Sequence, residues 1–143
     1  MKIMTYKKIC ILFFICFYVN SNEVSFYSAK YSFQSDDFSV TGVREFLSNA
    51  NGYELKFNAS NFIATLNFSS KFDLKNEEVI SKNYDINIKP KFLDRDQSVT
   101  FNNEPKTISS VGRNIWTSNI ENSINVLDPL NAQIMIRSNI SKG

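Results

Sequence analysis

The groups best suited to chemistry in this 143-residue chain are carboxylates in pairs: Asp36-Asp37, Glu77-Glu78, and Asp94 with Asp96. Two carboxyl groups flanking one bond can act as acid and base in glycoside hydrolysis, and several together can hold a hard cation. Each pair stands among turn residues, however, where Asp and Glu are ordinarily solvated. Asp94-Arg95-Asp96 also lacks the glycine and the distal Glu of a calcium loop. The rest of the inventory is short. The chain has no His, and its two Cys, Cys10 and Cys16, both fall in the first 21 residues. Beyond that leader, His- or Cys-dependent zinc sites, thiol nucleophiles, disulfides and Ser-His-Asp triads are excluded. No Ser stands in a Gly-x-Ser-x-Gly elbow or a Ser-x-x-Lys arrangement, and there is no glycine-rich phosphate loop. The sequence therefore assigns no catalytic residue, no cofactor and no metal.

Three residues stand out as candidates for ligand or interface contact: Trp116, Asp128 and Arg137. Trp116, the sole tryptophan, fits a recognition surface or a partly buried core position. Asp128 followed by Pro129 is a helix-start signature, because Asp accepts from free amides and Pro needs no donor there. Arg137 is a surface or interface cation near the favourable end of the helix dipole. Nine residues separate Asp128 from Arg137, about 13 Å along a helix axis, so their spacing implies no contact.

Positioning such residues requires a compartment and a scaffold. Lys2, Lys7 and Lys8 precede an uncharged run from Ile9 to Val19 that ends at Asn20-Ser21. A signal h-region spans roughly 7–15 residues and a bilayer-crossing helix about 20, so residues 1–21 read as a signal peptide cleaved after Ser21. No lasting membrane anchor is expected. A lipoprotein signal fails because Cys10 and Cys16 each follow Ile. All 14 acidic residues lie beyond the leader with all but three of the 16 basic ones, so residues 22–143 carry a net charge of about −1. Near-neutral charge argues against a nucleic-acid partner. A cysteine-free exported chain suits an oxidising compartment, and a bacterial periplasm is the simplest. The sequons at Asn58, Asn67 and Asn139 are what an Asn- and Ser-rich chain contains by chance.

The exported part reads as strands. Tyr27, Ala29, Tyr31 and Phe33 share one face, then Phe38, Val40, Gly42, Arg44 and Phe46 another. Gly42 suggests a bulge or a close backbone approach. Tyr53, Leu55, Phe57 and Ala59 alternate with polar neighbours, and after Ser60-Asn61 the face continues from Phe62 through Ala64, Leu66, Phe68, Ser70 and Phe72 to Leu74. Such alternation predicts antiparallel strands with one face buried and one wet. After a turn at Asn76-Glu77-Glu78, Val79–Ser81 reads as a short strand. Tyr84, Ile86, Ile88, Pro90 and Phe92 alternate in the next, with Pro90 demanding an edge or an end. Ser98 to Phe101 is a further strand. Lys106 to Asn125 is weakly patterned and reads as loop with one short strand. Pro129 to about Ser138 reads as an amphipathic helix covering a sheet face, with Leu130, Ala132, Ile134, Met135, Ile136 and Ile140 as its apolar positions.

Three stretches resemble an uncharacterised bacterial exported family, the domain-of-unknown-function 3108 family. Leu127-Asp128-Pro129-Leu130-Asn131-Ala132-Gln133-Ile134-Met135-Ile136-Arg137 is similar to its pattern of an acidic residue, an optional Pro, Leu, a small residue, Ala and a helix ending in Leu-Arg. Ile88-Lys89-Pro90-Lys91-Phe92 is similar to its strand leading to Pro and an aromatic, followed by a charged turn and short strand as at Asp94 to Phe101. The leader and first aromatic strand, with Gly42 at a glycine position of the family, complete the likeness. The resemblance implies a periplasmic, β-rich protein, carries over no catalytic residue, and implies a truncated gene product, a fragment or a short variant, since members continue for a further run of strands.

The expected architecture is mainly β: a curved antiparallel sheet, meander or half-barrel, with one C-terminal amphipathic helix, as a single domain over 22–143 after the signal helix. Ten of the 13 phenylalanines lie in this domain, most of them in step with the period-2 face, while Phe26, Phe46 and Ile63 read as lying on the opposite registers. A concave apolar face would suit an acyl chain, as in periplasmic lipid carriers. The leading expectation is non-enzymatic binding of an apolar, lipid-like ligand or an envelope protein. A carboxylate-dependent envelope hydrolase and a purely structural interaction module are the alternatives.

Overall fold

The computed structural model describes residues 25–34, 39–90 and 95–140. The leader, Asp36-Asp37, Phe38, Lys91, Phe92, Asp94 and Ser141 of the last sequon lie outside the described residues. Eight strands follow one another: β1 (Tyr27–Gln34), β2 (Ser39–Asn49), β3 (Gly52–Ser60), β4 (Ala64–Lys75), β5 (Glu78–Pro90), β6 (Arg95–Asn103), β7 (Lys106–Gly112) and β8 (Trp116–Asn119). Each pairs antiparallel with the next, giving one meander in sequence order. The sheet is curled but unclosed, and one helix among the described residues, α1 (Asn131–Ile140), follows it. The expected fold class holds. Among the described residues no helix is long and apolar enough to cross a membrane.

Register explains which side chains meet. Pairing Tyr27↔Phe46, Phe46↔Leu55, Leu55↔Ser70, Ser70↔Tyr84 and Tyr84↔Val99 puts these residues in one row across the concave face. The next row runs Ala29, Arg44, Phe57, Phe68 and Ile86. Strand neighbours of these residues point to the convex face, which is polar: Ser69 donates to Glu54 at 2.8 Å and Ser98 to Asp85 at 2.6 Å. The core is the cluster Phe46, Leu55, Phe72, Val79, Tyr84, Leu130 and Ile134. Phe46 stacks on Phe72 with ring centroids 6.0 Å apart, and Phe57 on Phe68 at 6.3 Å. Helix α1 lies on the concave face over β4 and β5, as its amphipathic reading required.

Several local expectations need correction. Phe46 belongs to the buried face and is fully buried, in step with Gly42 and Arg44, whereas Phe26 and Ile63 are exposed. Phe62 is also not on the buried face: it is 72% exposed, because Asn61 bends the chain. The Asn61 side-chain oxygen accepts from Ile63 N and Ala64 N at 2.8 Å each, so β4 starts only at Ala64. Val79–Ser81 and the Tyr84 strand are one element, β5, with a register shift opposite Lys71/Phe72 that leaves Lys82 as the extra residue. Lys82 turns that bulge outward and pairs with Asp73 at 2.6 Å. Pro90 is the last residue of β5, the end position that its missing donor demanded.

The weakly patterned Lys106–Asn125 stretch holds two strands, β7 and β8. Ser110, nearly fully buried, occupies a core-facing position in β7 and so hides the alternation. Beyond β8 the chain returns as a strap across the fork where β5 and β6 part. Lys106 Nζ donates to Asn122 O at 2.8 Å, Asn125 Nδ2 to Val79 O at 3.0 Å and Ser81 Oγ to Val126 O at 2.8 Å. The strap satisfies the Val79 carbonyl, which β6 does not reach, and two of its own carbonyls accept from Lys106 and Ser81. It also delivers Asp128 onto the sheet.

Candidate functional site

Asp128 caps α1. Its Oδ1 accepts from Leu130 N at 2.8 Å and Asn131 N at 2.9 Å, and its backbone oxygen accepts from Ala132 N at 3.0 Å. The helix begins at Asn131, two residues later than expected, and runs to Ile140. Asp128 is more than a surface cap, being 3% exposed with Oδ2 accepting from Ser70 Oγ at 2.6 Å. Desolvation raises its carboxyl above the ordinary Asp range, opposed by the hydrogen bonds from Ser70, Asn131 and Leu130. Burial, and secondly the Asp128 charge, raise the Tyr84 phenol as well. Beside them Asn131 Nδ2 donates to Ser81 Oγ at 2.9 Å. This polar cluster welds the helix N-terminus to β4 and β5. Ser70 is fully buried, so its hydroxyl is beyond the reach of a substrate.

Next to this cluster, α1 and the concave face enclose an open groove in two adjoining parts that share Tyr31, Arg44 and Gln133. One part, about 370 Å³, is lined by Phe57, Phe68, Tyr84 and Leu130. The other, about 430 Å³, is lined by Tyr27, Ala29, Ile136 and Arg137. Both lie in the ~300–1,000 Å³ range of small-molecule sites. The helix contributes Gln133, Ile136 and Arg137, three or four residues apart and therefore on one stripe, and Leu130 stands just before it. The sheet contributes every second residue of β1 from Tyr27 to Tyr31, Arg44 from β2, and Phe57, Phe68 and Tyr84 from the next three strands.

Gly42 shapes the floor. A Cβ there would sit 2.9 Å from Phe57 Cε2 and Cζ and 3.3 Å from Ala59 Cβ, so the ring lies across the bare backbone. Of the two roles expected for this glycine, bulge or close approach, the structure has the close approach. Gly42→Val is expected to displace the Phe57 ring and overpack the floor. A loss of about 1–3 kcal/mol in equilibrium urea unfolding would report it.

Arg44 is the unusual member. It stands in the middle of the apolar face of β2, and its Nε and Nη2 are buried with no hydrogen-bond partner. Its guanidinium carbon lies 5.9 Å from the centre of the Tyr27 ring, and that of Arg137 lies 4.9 Å from the same ring. Cation–π contact contributes about 0.5–2 kcal/mol at such distances. Neither arginine belongs to the two ion pairs seen among the described residues, Lys56–Glu54 and Lys82–Asp73.

The structure thus places Arg137 in the groove and Asp128 outside its lining, buried at the N-terminus of the helix. Trp116 is elsewhere, on edge strand β8 and 45% exposed, so it is not a core residue. Arg44 is the member that sequence reasoning misses, since it reads there as one residue of a strand face. A signal for it exists: a lone charge between Gly42 and Phe46 on an otherwise apolar face. The described acidic pairs do not converge. Glu77 and Glu78 sit at the β4–β5 hairpin, where Asn76 and Glu77 have φ of 49° and 68°, and Asp96 is on β6. Among the described residues no three His, Cys, Asp or Glu side chains gather around a metal-sized space. Compared with protein-family models, curated proteins and solved structures, the chain matches none of them.

Proposed function

We propose that this chain is an exported, periplasmic, non-enzymatic protein of the domain-of-unknown-function 3108 kind that holds a lipid-like ligand between α1 and the concave sheet face. The observation that carries the reading is the groove of Tyr31, Phe57, Phe68, Tyr84 and Leu130, an apolar cleft left open beside a packed core. Ile136, which lines the adjoining part, is 57% exposed and adds apolar surface there beside Arg137. Apolar surface of this kind is stabilised by covering it, at about 25 cal/mol per Å².

The test uses the full chain expressed with its own leader and purified from the periplasmic fraction. Its intact mass should correspond to a chain starting at Asn22. A neutral dye such as N-phenyl-1-naphthylamine should bind saturably at one site. Phe68→Trp, which fills the groove without adding charge, should lower that affinity at least tenfold. Dye uptake that is unsaturable, or untouched by Phe68→Trp, would sink the reading.

A second reading is supported by β8. This edge strand carries Trp116 and follows Ile115, which is 81% exposed, so an envelope protein could add a strand there. Crosslinking from position 116 in whole cells would separate the two: a specific protein adduct favours the partner, and its absence removes it.

A further inference from the structure

We infer that the groove is built for an anionic single-chain amphiphile, a fatty-acid-like carboxylate whose head is taken by Arg44 with Arg137 as the second cation. The inference rests on the lipid-like ligand proposed above and adds the chemistry of its head group. Arg44 Nε and Nη2 are the two nitrogens on one edge of the guanidinium, and they are the buried, unpartnered ones. That edge is the fork that grips a carboxylate with two parallel hydrogen bonds, and because it is buried the guanidinium must turn toward the groove to use it. A buried charge is costly unless it is paired, so these two nitrogens call for an acceptor that the described side chains do not supply. Arg44 and Arg137 also converge on the single Tyr27 ring, and like charges sharing one aromatic contact call for an anion between or beside them.

The placement fixes polarity along the groove. Arg44 lies where the two parts join. On one side Phe57, Phe68 and Leu130 offer a tail only apolar contact. On the other, Tyr27 and Arg137 surround the head. An apolar ligand without a charge would fill the first part and leave the arginine fork unanswered. A free inorganic anion would answer the fork and leave the apolar part empty. Only an amphiphile satisfies both.

The experiment displaces the neutral dye from the full chain with dodecanoate, dodecan-1-ol and inorganic phosphate, below micellar concentrations. Dodecanoate should bind at least tenfold more tightly than dodecan-1-ol, since a charge-assisted bidentate contact is worth about that factor or more. Phosphate alone should displace nothing. Arg44→Met should abolish the preference, bringing the two ligands within about twofold, while the unfolding midpoint does not fall. Arg44→Lys, which keeps the charge and loses the fork, should retain an intermediate preference. Equal binding of acid and alcohol to the wild-type chain, or a preference that survives Arg44→Met, overturns the head-group assignment and leaves the groove reading standing. Displacement of the dye by phosphate at the same concentrations overturns it in favour of a simple anion site. No saturable dye or dodecyl binding at all overturns the groove reading itself.

Discussion

Phe72→Ala should lower stability by about 3–5 kcal/mol, the range for removing a fully packed aromatic. Phe72 is fully buried, lies parallel to Phe46 at 2° and 6.0 Å, and also stacks on Tyr53 at 6.1 Å. It sits where β4 shifts register against β5, so the void cannot close by sliding one strand past the other. Much of the net stability of a domain this size would be lost, given the ~5–15 kcal/mol typical of native proteins. Urea unfolding should show the midpoint falling by roughly 1–3 M with an unchanged slope. Phe62→Ala is the control. That ring is 72% exposed, and its removal should change stability by no more than about 0.5 kcal/mol. Equal effects of the two substitutions would contradict the face assignment on which the fold rests.

The second large effect is expected at Asp128. Asp128→Ala removes the acceptor of two helix amides and strands the Ser70 hydroxyl inside the protein. Cap loss costs about 1 kcal/mol and a stranded buried hydroxyl about 1–3, partly offset because the desolvated charge disappears too. The net loss at neutral pH should be about 2 kcal/mol, and α1 should be the first segment to exchange its amides. The pH dependence has a definite sign. Burial raises the Asp128 carboxyl in the folded chain, so the folded state holds that proton more tightly than the unfolded state. Its charge penalty is absent below the unfolded carboxyl's value and complete above the folded one, and stability falls as pH rises between them. The deficit of Asp128→Ala relative to wild type should therefore grow as pH falls through that window. Asp128→Asn, which keeps an acceptor for the helix amides, should flatten the dependence. In both variants the Tyr84 phenol should titrate lower than in wild type, since the Asp128 charge helps to raise it. A wild-type stability curve parallel to that of Asp128→Asn as pH rises from the ordinary Asp value toward neutrality would refute the linkage.

The same two residues show how far local sequence reaches. Phe72 falls on the alternating face from Ala64 to Leu74, and the strand period of two places it there whatever its partners are. Asp128-Pro129 announces a helix start because capping is a matter of residues two and three positions on. Both are local statements. The depth of Asp128 is not, because its bond to Ser70 spans 58 positions. Likewise Ile136 and Ile140 have helical spacing, yet they are 57% and 73% exposed, while Asn131 and Ser138 are buried. The helix meets β4 and β5 on the stripe through Asn131, Ile134 and Ser138, and that stripe is set by where the strap delivers Asp128 rather than by hydropathy.

Sequence alone thus determined the local half of this protein: strands from Tyr27 to Phe101, the turns between them and one capped C-terminal helix, because side-chain alternation and end-capping act over a few residues. Tertiary structure decided the rest. It paired β7 and β8 despite their polar inward Ser110, carried Trp116 to an edge, buried Asp128, and turned Arg44 from one member of a strand face into an unanswered cation in a groove shared with Arg137. Those outcomes depend on which distant surfaces close over a side chain and remove its water, and no neighbour in the sequence records that.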